Sequence, residues 1–458
     1  MQKTIFFTIS RGSLIRNFFH TGVIKRLLNT GIRVVVLTPN YKDKEIFRDF
    51  EHENLILEPL MRSRKIKFGR LINEFFKGSV FNRTVFLAYI FKFTGEKPSK
   101  ILLIPRIIFF APLRLVPGFR KFIRWAAFRM NPQNEHDYLF EKYKPDLVFA
   151  TTAHSEPDVG VLKSAKRFGV TTVQMPKSGD NPTRILFSMK TDYMIVWSAF
   201  MKKQILKLQD YEDEEVHVTG APQFDYYAHR ENLLTREEFC RQFNFNPNRK
   251  FVLYISAARR SPNDADYISL IKEFVDDGEL QEVQVLARPH AGYVDDDKKF
   301  VSIEKYKGFA VDRTGKQSEK FKDHWDISMN HLHNLLNSFY HADVCVNIAS
   351  TTCLDAVLCD TESINIDFDV REGVPLSESP RRFYYTDYDD AVNNFGATWH
   401  VKSKEEFKQA LKAILENDKR KNDKKEDFIK YFAHKNDGKS AERIANGLIN
   451  IMNKNENS

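Results

Sequence analysis

The sequence predicts an α/β protein of two successive halves, each a doubly wound parallel sheet with helices packed against it. Short apolar runs alternate with segments of helical period along most of the 458 residues, a pattern typical of βαβ units. A polar stretch with an Asn-Pro turn (NFNPNRK) separates two such series near residue 245. The length is sufficient for two domains that each bury their own core.

The first half is predicted to span residues 1–228 and to begin with a βαβ unit. A buried strand at 5–9 precedes a helix at 14–28, and a second strand at 33–37 follows at once. The pattern resumes with a helix at 158–168 and with strands at 146–150, 171–174, 192–196 and 216–218. This alternation of strands and helices favours parallel pairing.

The second half repeats this pattern after a linker at 229–250. It is predicted to span 251–403, with strands at 251–255, 282–287, 309–311, 343–347 and 363–367. Helices at 404–417 and 441–453 are expected to close the chain over residues 404–458. Ligands bind beyond the carboxyl ends of the strands in such sheets, so the loops that follow the strands are the candidate site.

An insertion in the first half, residues 60–135, departs from the α/β pattern. It is rich in Phe, Ile and Leu, and from residue 61 onwards it carries 16 Lys or Arg against three Glu and no Asp. That segment therefore has a net charge of +13 in a chain whose net charge is +9. No run reaches the roughly 18 uncharged apolar residues of a spanning helix. The mixture favours a helical element that lies on an anionic membrane surface.

Two other interpretations of the insertion stay open. It is also compatible with helices that pack on the sheet and leave their basic side solvated. Nucleic-acid binding is disfavoured, because no recognised nucleic-acid module accompanies the charge. The apolar run at the N-terminus is too short for a signal peptide. The expected location is therefore cytoplasmic, at the inner face of the cytoplasmic membrane.

Two loops after predicted strands contain candidate phosphate ligands. The loop SRGS at 10–13 precedes a helix whose N-terminal amides favour an anion, although it lacks the GxGxxG pattern and is equally compatible with a simple loop. The loop SAARRS at 256–261 combines small residues with two arginines, which bind phosphate in a bidentate manner. The candidates are Arg11 and Gly12 for the acceptor, and Ser256, Arg259 and Arg260 for the donor.

Three further motifs carry a resemblance to known families. They are TGAPQFD at 219–225, ARPH at 287–290 and ADVCVNIASTTCLDA at 342–356. In their order and spacing they resemble the GT-B glycosyltransferases of bacterial surface polysaccharides, such as those of lipopolysaccharide. They are also similar to the CDP-glycerol glycerophosphotransferases and to the UDP-GlcNAc 2-epimerase group. The N-terminal third matches these families only in its βα pattern.

This resemblance implies the GT-B fold, in which two Rossmann-like domains face a central cleft, and a nucleotide-sugar donor in the second domain. Hydroxyls and backbone amides at the start of a helix would meet the diphosphate. Cationic side chains would neutralise the leaving nucleotide, and no cofactor or metal is expected. The implied donor-binding residues are Arg288, His290, Ser350, Thr351, Thr352 and Asp355. Asp355 stands where Glu is usual, so a structural salt bridge is its alternative, and a helix cap is the alternative for Ser350.

The candidate catalytic base lies in the loop after the strand at 146–150. His154 has a near-neutral ordinary pKa and is a candidate for deprotonating an acceptor hydroxyl. Glu156 and Asp158 would orient it or replace it, and a helix cap is the alternative for Asp158. Lys177 and Ser178, after the strand at 171–174, are candidate contacts for the acceptor, with the donor as the alternative, and His20 is a further candidate for the base.

The leading hypothesis is a metal-independent glycosyltransferase with a lipid-linked or surface-glycan acceptor. The families' retaining members often carry two glutamates eight residues apart, and here Asn347 and Asp355 stand in those places, so inversion is expected. A CDP-glycerol-type polyol phosphate transferase and a non-catalytic membrane scaffold are the alternatives. A nucleotide-sugar 2-epimerase is disfavoured, because such an enzyme has no need of a membrane-binding insertion.

Overall fold

The computed structural model describes residues 2–62, 69–91, 103–154, 156–231, 233–315, 318–321, 323–325, 327–416 and 423–454. The described chain forms two sheets, one of seven strands and one of six, and every strand pair in both sheets is parallel. The predicted α/β class and the two doubly wound sheets are confirmed.

The first sheet has the strand order 3-2-1-4-5-6-7. Its strands are β1 (Thr4–Thr8), β2 (Arg33–Thr38), β3 (Leu55–Pro59), β4 (Leu147–Ala150), β5 (Thr171–Gln174), β6 (Tyr193–Val196) and β7 (Val216–Val218). The order reverses between β1 and β4, which is the topological switch point where ligands bind in such sheets. The helices of this half are α1 (Gly12–Ile15), α2 (Val23–Asn29), α3 (Lys44–Phe47), α4 (Gly69–Ser79), α5 (Arg83–Ile90), α6 (Leu103–Leu115), α7 (Phe119–Met130), α8 (Asp137–Tyr143), α9 (Glu156–Phe168), α10 (Asn181–Arg184), α11 (Ala199–Leu208) and α12 (Asp225–Ala228).

The second sheet has the strand order 10-9-8-11-12-13. Its strands are β8 (Phe251–Ile255), β9 (Gln284–Arg288), β10 (Phe309–Val311), β11 (Val344–Asn347), β12 (Glu362–Ile366) and β13 (Trp399–Val401). The remaining helices are α13 (Arg236–Arg241), α14 (Asp264–Asp276), α15 (Met329–His341), α16 (Thr352–Leu358), α17 (Asp387–Phe395), α18 (Lys404–Leu415), α19 (Lys425–Phe432) and α20 (Ser440–Lys454).

Two details differ from the expectation. The predicted helix at 14–28 is interrupted, because a π-helical turn spans Arg16–His20 and Gly22 takes a left-handed conformation with φ of 81°. The strands β3 and β13 were absent from the sequence prediction, and both are edge strands of their sheets. These two strands are mostly half-buried, so they lack the continuous apolar run that marks a central parallel strand.

The motif TGAPQFD fastens the end of the chain to the first half. The Asp225 carboxylate accepts from the backbone amides of Ser440 and Ala441, both at 2.8 Å, at the start of α20. Gly220 has φ of 85°, and a Cβ there would lie 2.4 Å from the Ser440 hydroxyl oxygen. Only glycine permits this approach, so the motif supports the fold of the two halves together.

The described part of the insertion forms α4–α7. Several of its cations are neutralised by carboxylates. Arg120 and Arg124 both bind Asp210, which follows α11, and Arg106 forms an ion pair with Glu74 at 3.1 Å. Part of the predicted basic surface is therefore structural, while residues 63–68 and 92–102, which contain further Lys and Arg, lie outside the described residues. The described helices expose the following apolar side chains by more than half of their surface: Leu71, Ile104, Ile108, Phe109, Leu115, Val116, Phe122, Trp125 and Met130.

Candidate active site

The loops at the carboxyl ends of the two sheets meet across one cleft. In the loop between β10 and α15, the Asp323 carboxylate accepts from the Gly12 amide at 3.0 Å and from the Ser13 hydroxyl at 3.2 Å. Lys177, after β5, lies close enough to His290, after β9, for its charge to lower the pKa of that histidine. The cleft is the space among the loops that follow β1, β4, β5, β8, β9 and β11.

Cations from both halves converge on the cleft. Burial, followed by the charge of Arg11, lowers the pKa of Lys177 to about 8. Arg260, after β8, acts electrostatically on Asp180 in the first half and on His290 in the second. Like charges that are close enough to shift one another's pKa destabilise one another. A site that keeps them together is suited to an anion.

His154 lies among these cations. Its side chain is reached by solvent, but it sits deep in the cleft, and burial followed by the charges of Arg11 and Arg184 lowers its pKa to about 4. The ring is therefore neutral at pH 7 and is able to accept a proton.

The two carboxylates predicted to assist His154 have other contacts. Glu156 is exposed and accepts from the Gln133 side chain at 3.1 Å. Asp158 is fully buried, and the Thr8 hydroxyl of β1 donates to it. Asp158 thus connects α9 to the first strand inside the fold. This bond to a strand is a structural role other than the helix cap that the sequence left open.

The loop after β5 lies against the second half. The Ser178 hydroxyl donates to Asp180, which also forms an ion pair with Arg184. A Cβ at Gly179 would lie 2.8 Å from the ring of Tyr388 in α17, so glycine is required for this close approach. The loop carrying Lys177 and Ser178 is therefore one wall of the cleft.

The three candidate residues in the loop after β8 have different surroundings. Ser256 is buried, and its hydroxyl donates to Asp264 at 2.9 Å, within the second half. The Arg259 side chain is exposed and stacks over the Tyr293 ring. Arg260 donates to the Ala349 carbonyl at 2.6 Å and so connects this loop to the one after β11.

Both of these loops contain an alanine in the left-handed region. The φ angles are 54° at Ala258 and 42° at Ala349. Residues with a Cβ rarely adopt this conformation, which is typical of functional sites held under strain. The Ala349 amide donates to the Tyr384 hydroxyl at 2.8 Å, which helps to fix the strained loop.

The segment at the start of α16 presents hydroxyl groups, as expected. Ser350 accepts from the Thr352 amide at 3.3 Å, and Thr351 is exposed. Asp355 is half-buried and lies beside the Tyr227 hydroxyl of the first half. Burial raises the pKa of Asp355 to about 6, whereas the Tyr227 hydroxyl lowers it.

Two neighbouring residues of the ARPH motif have different surroundings. Arg288 is buried, forms an ion pair with Asp312 and donates to the Ser338 hydroxyl at 3.1 Å. It also lines a pocket of about 260 Å³ beside the cleft. His290 accepts at Nδ1 from the Gly292 amide at 3.1 Å, and burial lowers its pKa to about 4. Its Nε2 therefore carries the ring proton and is a hydrogen-bond donor.

Sequence reasoning missed the segment that bridges the two halves over the cleft. The Trp325 ring lies against the Arg16 guanidinium at 5.1 Å and edge-on to the His290 ring at 5.8 Å. His20, the further candidate base, donates from Nε2 to the Ile327 carbonyl at 3.0 Å. No local motif marks this segment, because its contacts with Arg16 and His20 join residues some three hundred positions apart in the chain.

Several buried polar atoms beside the cleft have no hydrogen-bond partner within the described ranges. They are Ser10 Oγ, Tyr226 Oη, Trp325 Nε1 and Thr352 Oγ1. Buried polar groups are nearly always satisfied, and such groups around a cleft are typical of a site for a polar ligand or for water. A polar, anionic ligand therefore matches both the charges and the unused hydrogen-bonding groups.

No protein-family model matches the sequence, and no curated protein matches it either. Solved structures do match. A putative UDP-N-acetylglucosamine 2-epimerase from Listeria monocytogenes is 11% identical, with a TM-score of 0.57 and coverage of 100% of this chain and 98% of that one. The UDP-GlcNAc 2-epimerase from Neisseria meningitidis, bound to UDP-GlcNAc, is 11% identical with a TM-score of 0.53, covering 98% and 100%.

A glycosyltransferase from Rickettsia africae is 12% identical over 98% of this chain and 99% of that one, with a TM-score of 0.52. Identities this low show the fold alone. In the part of the chain that the structure describes, no helix is long and apolar enough to cross a membrane. The chain has two parallel sheets that face one cleft, which is the two-domain GT-B fold. In this fold it is similar to these epimerases and to this glycosyltransferase.

Proposed function

We propose that this protein is a glycosyltransferase that moves a sugar from a nucleotide-diphosphate donor to a lipid-linked or surface-glycan acceptor at a membrane surface. The observation that carries the proposal is the convergence of Arg11, Lys177, Arg184 and Arg260 on the cleft, from both halves. A diphosphate would neutralise these cations, and they would stabilise the charge that develops on it as the sugar leaves. In this mechanism side chains take the place of a metal ion.

The second half supplies further donor contacts in this proposal. Arg259 and Arg260 would meet the diphosphate together with the hydroxyls and amides of residues 350–352. His290 is neutral, and its Nε2–H would donate to a phosphate oxygen. Arg288 would act indirectly, through the wall of the adjoining pocket, because its guanidinium is held by Asp312.

His154 is the proposed base, and the donor itself would activate it. Burial, together with the neighbouring cations, lowers its pKa to about 4, which makes the free ring a weak base. A bound diphosphate would neutralise Arg11 and Lys177 and so remove part of that effect. The pKa of His154 would then rise towards its ordinary value when the donor is present, as base-assisted inversion requires.

The insertion supports action at a membrane. Its exposed apolar side chains are accompanied by exposed Arg70, Lys121 and Arg129, a combination that suits an anionic bilayer surface. The insertion also reaches the wall of the cleft. The Thr84 hydroxyl in α5 donates to Asp387 of α17 at 2.6 Å, and the adjacent Tyr388 packs against Gly179 in the loop after β5. An acceptor anchored in the inner face of the cytoplasmic membrane would therefore reach the cleft along α5.

Thermal stabilisation by a panel of UDP, GDP, CDP and dTDP tests the proposal. A nucleotide at about 100 times its dissociation constant is expected to add about 2.7 kcal/mol to the free energy of unfolding. Arg260→Gln should abolish this gain, because it removes a cleft cation. Arg241→Gln, at an exposed arginine of α13, is the matched control and should retain it.

The outcomes separate the alternatives. Stabilisation by no nucleotide would overturn the transferase and favour a scaffold, and stabilisation by CDP alone would favour a polyol phosphate transferase. If the stabilising nucleotide is UDP, incubation with UDP-GlcNAc in the absence of acceptor distinguishes an epimerase, which would convert the sugar by itself.

A further inference from the structure

The insertion contains buried polar atoms whose surroundings are incomplete. The Tyr89 side chain is 7% exposed, and its hydroxyl has no hydrogen-bond partner in the described part of the chain. The same holds for Nε and Nη2 of Arg114. A buried guanidinium that lacks an acceptor is costly, so an anion that satisfies it would be strongly favoured.

The two side chains are neighbours. The charge of Arg114 opposes the rise in the pKa of Tyr89, which burial raises to about 12. Tyr89 thus keeps its proton at physiological pH and remains a donor. The Arg114 guanidinium stacks over the Phe81 ring at 4.3 Å, just before α5, and the residue as a whole is only half-buried. One phenolic and one guanidinium donor are therefore available within reach of the surface.

The other charged groups nearby are already neutralised. Glu74 forms ion pairs with Arg106 at 3.1 Å and with Lys77 at 3.9 Å. Arg120, whose charge also acts on Arg114, is bound to Asp210 at 3.0 Å. Among the residues that the structure describes, Arg114 has no ion-pair partner, so the cluster is electrostatically suited to a single anion.

The location indicates which anion. Leu115, next in sequence to Arg114, is 83% exposed, and Ile108 on the same helix is 68% exposed. The opposite side of the cluster leads to the cleft, because α5 is eight residues long, or about 12 Å, and its first turn contacts Asp387. The cluster thus lies between an exposed apolar face and the proposed active site.

From this arrangement we infer that Arg114 and Tyr89 form a binding site for the phosphate group of a membrane lipid. The apolar chain of such a lipid would lie along the exposed face of α6, and its phosphate would accept from the guanidinium and from the phenol. A phosphate monoester on an apolar anchor is the class of ligand that fits best, since it offers the most acceptor charge. The site would place a phosphate-bearing acceptor beside the cleft, a role that rests on the proposed function.

Flotation of the full-length protein with vesicles tests this inference. Phosphatidylcholine vesicles that contain phosphatidic acid are compared with vesicles that contain phosphatidylglycerol, at matched zeta potential. We expect at least about fivefold tighter binding to phosphatidic acid, because a monoester adds a charge-assisted hydrogen bond. Tyr89→Phe and Arg114→Gln should each abolish this preference.

Lys121→Gln is the matched control for lost charge, because Lys121 is an exposed cation of α7. It should weaken binding to both vesicles by the same factor and leave the preference intact. The site is refuted if the wild type shows no preference, or if the preference persists in both Tyr89→Phe and Arg114→Gln. Tyr89→Phe preserves the ring, so a folding defect does not obscure the comparison.

Inorganic phosphate at millimolar concentration distinguishes the source of the phosphate. No displacement from phosphatidic acid vesicles is expected, whereas complete displacement would assign the site to soluble phosphate and overturn the lipid assignment. Nucleotide stabilisation is measured on the same samples. A preference that depends on Arg114 in a protein without nucleotide binding would retain the lipid site and overturn only the transferase.

Discussion

The cleft and the insertion both concentrate cations, but they differ in what surrounds those cations. In the cleft the charge of Arg11 acts on Lys177, and the charges of Arg11, Lys177 and Arg260 lower the pKa of one or both of two neutral histidines. In the insertion Arg124 is enclosed by acceptors, namely the Asp210 carboxylate and two backbone carbonyls. A count of charges along the sequence makes the insertion the more basic region, yet the cleft is the region where described cations act on neutral histidines.

The difference shows that charge alone does not distinguish a binding site from a structural network. What distinguishes them is whether each cation already has hydrogen-bond acceptors. Cations that share a cleft without enough acceptors keep a free-energy cost that a ligand relieves. Cations with complete hydrogen bonds have no such cost and contribute to stability instead. Arg114 is the member of the insertion that behaves like the cleft residues, and for that reason a ligand is assigned to it.

Replacement of Arg124 by Met should have the largest effect of the changes considered. It leaves Asp210 with Arg120 only and two buried carbonyls without a donor, so a loss of about 3 to 5 kcal/mol in the free energy of unfolding is expected. Arg114→Met is the matched comparison in the same insertion and should cost less than about 1 kcal/mol without lipid, because no described acceptor loses a donor. Urea denaturation of both variants measures the difference.

Equal losses for the two variants would mean that Arg114 is as fully satisfied as Arg124. The contrast between Arg114 and Arg124 would then fail, and the inferred lipid site would fail with it. A gain in stability for Arg114→Met would strengthen the contrast.

The sequence was informative about the central strands and less so about the edges. The strands at 5–9, 33–37 and 251–255 were predicted because continuous apolar runs mark strands buried on both faces. The edge strand β3 ends in Pro59 and is half-buried throughout. Its pattern does not differ from that of a loop, and only its pairing with β2 makes it a strand.

The candidate site was predictable to the extent that it follows strand ends. Arg11, His154, Lys177, Arg260 and His290 all come directly after strands, and the parallel topology brings them to one cleft. The participation of Asp180, Asp323 and Trp325 depends on how the halves face each other. Likewise, no sequence feature predicts that Arg288 is held in a buried ion pair whereas His290, two residues later, lies at the cleft.

Acid titration tests the comparison of the cleft with the insertion through His136, which directly follows the insertion. His136 is 1% exposed and accepts at Nε2 from the Met61 amide at 3.0 Å, and burial lowers its pKa to about 4. Below pH 6.5 the unfolded chain binds the proton and the folded chain does not, so stability falls as the pH falls towards 4. The expected loss is at most about 3 kcal/mol.

His136→Gln removes this titration, so its stability should fall less than that of the wild type between pH 7 and pH 4. Parallel stability curves for the two proteins would show that His136 does not titrate as proposed.

A nucleotide should leave the pKa of His136 unchanged and raise that of His154, which NMR titration of the two rings would detect. An equal response of both rings would remove the distinction between the two regions.

Alkaline titration provides the smallest and most selective test. Lys177 in the cleft and Lys163 in α9 both have a pKa lowered to about 8, in each case chiefly by burial. Lys163, however, donates to the Asn131 carbonyl at 2.5 Å, at the end of the insertion. Between pH 7 and pH 9 both lysines lose their charge, but only Lys177 is proposed to contact the donor.

Nucleotide affinity should therefore fall about tenfold over this interval, which corresponds to the loss of one charge-assisted hydrogen bond. Lys177→Arg should keep the affinity constant, because arginine stays charged, whereas Lys163→Arg should retain the fall. Calorimetric titration at both pH values measures the effect. If Lys177→Arg shows the same fall as the wild type, the phosphate contact of Lys177 is wrong, and the lowered pKa of a buried lysine in the cleft has no more functional meaning than that of its counterpart in α9.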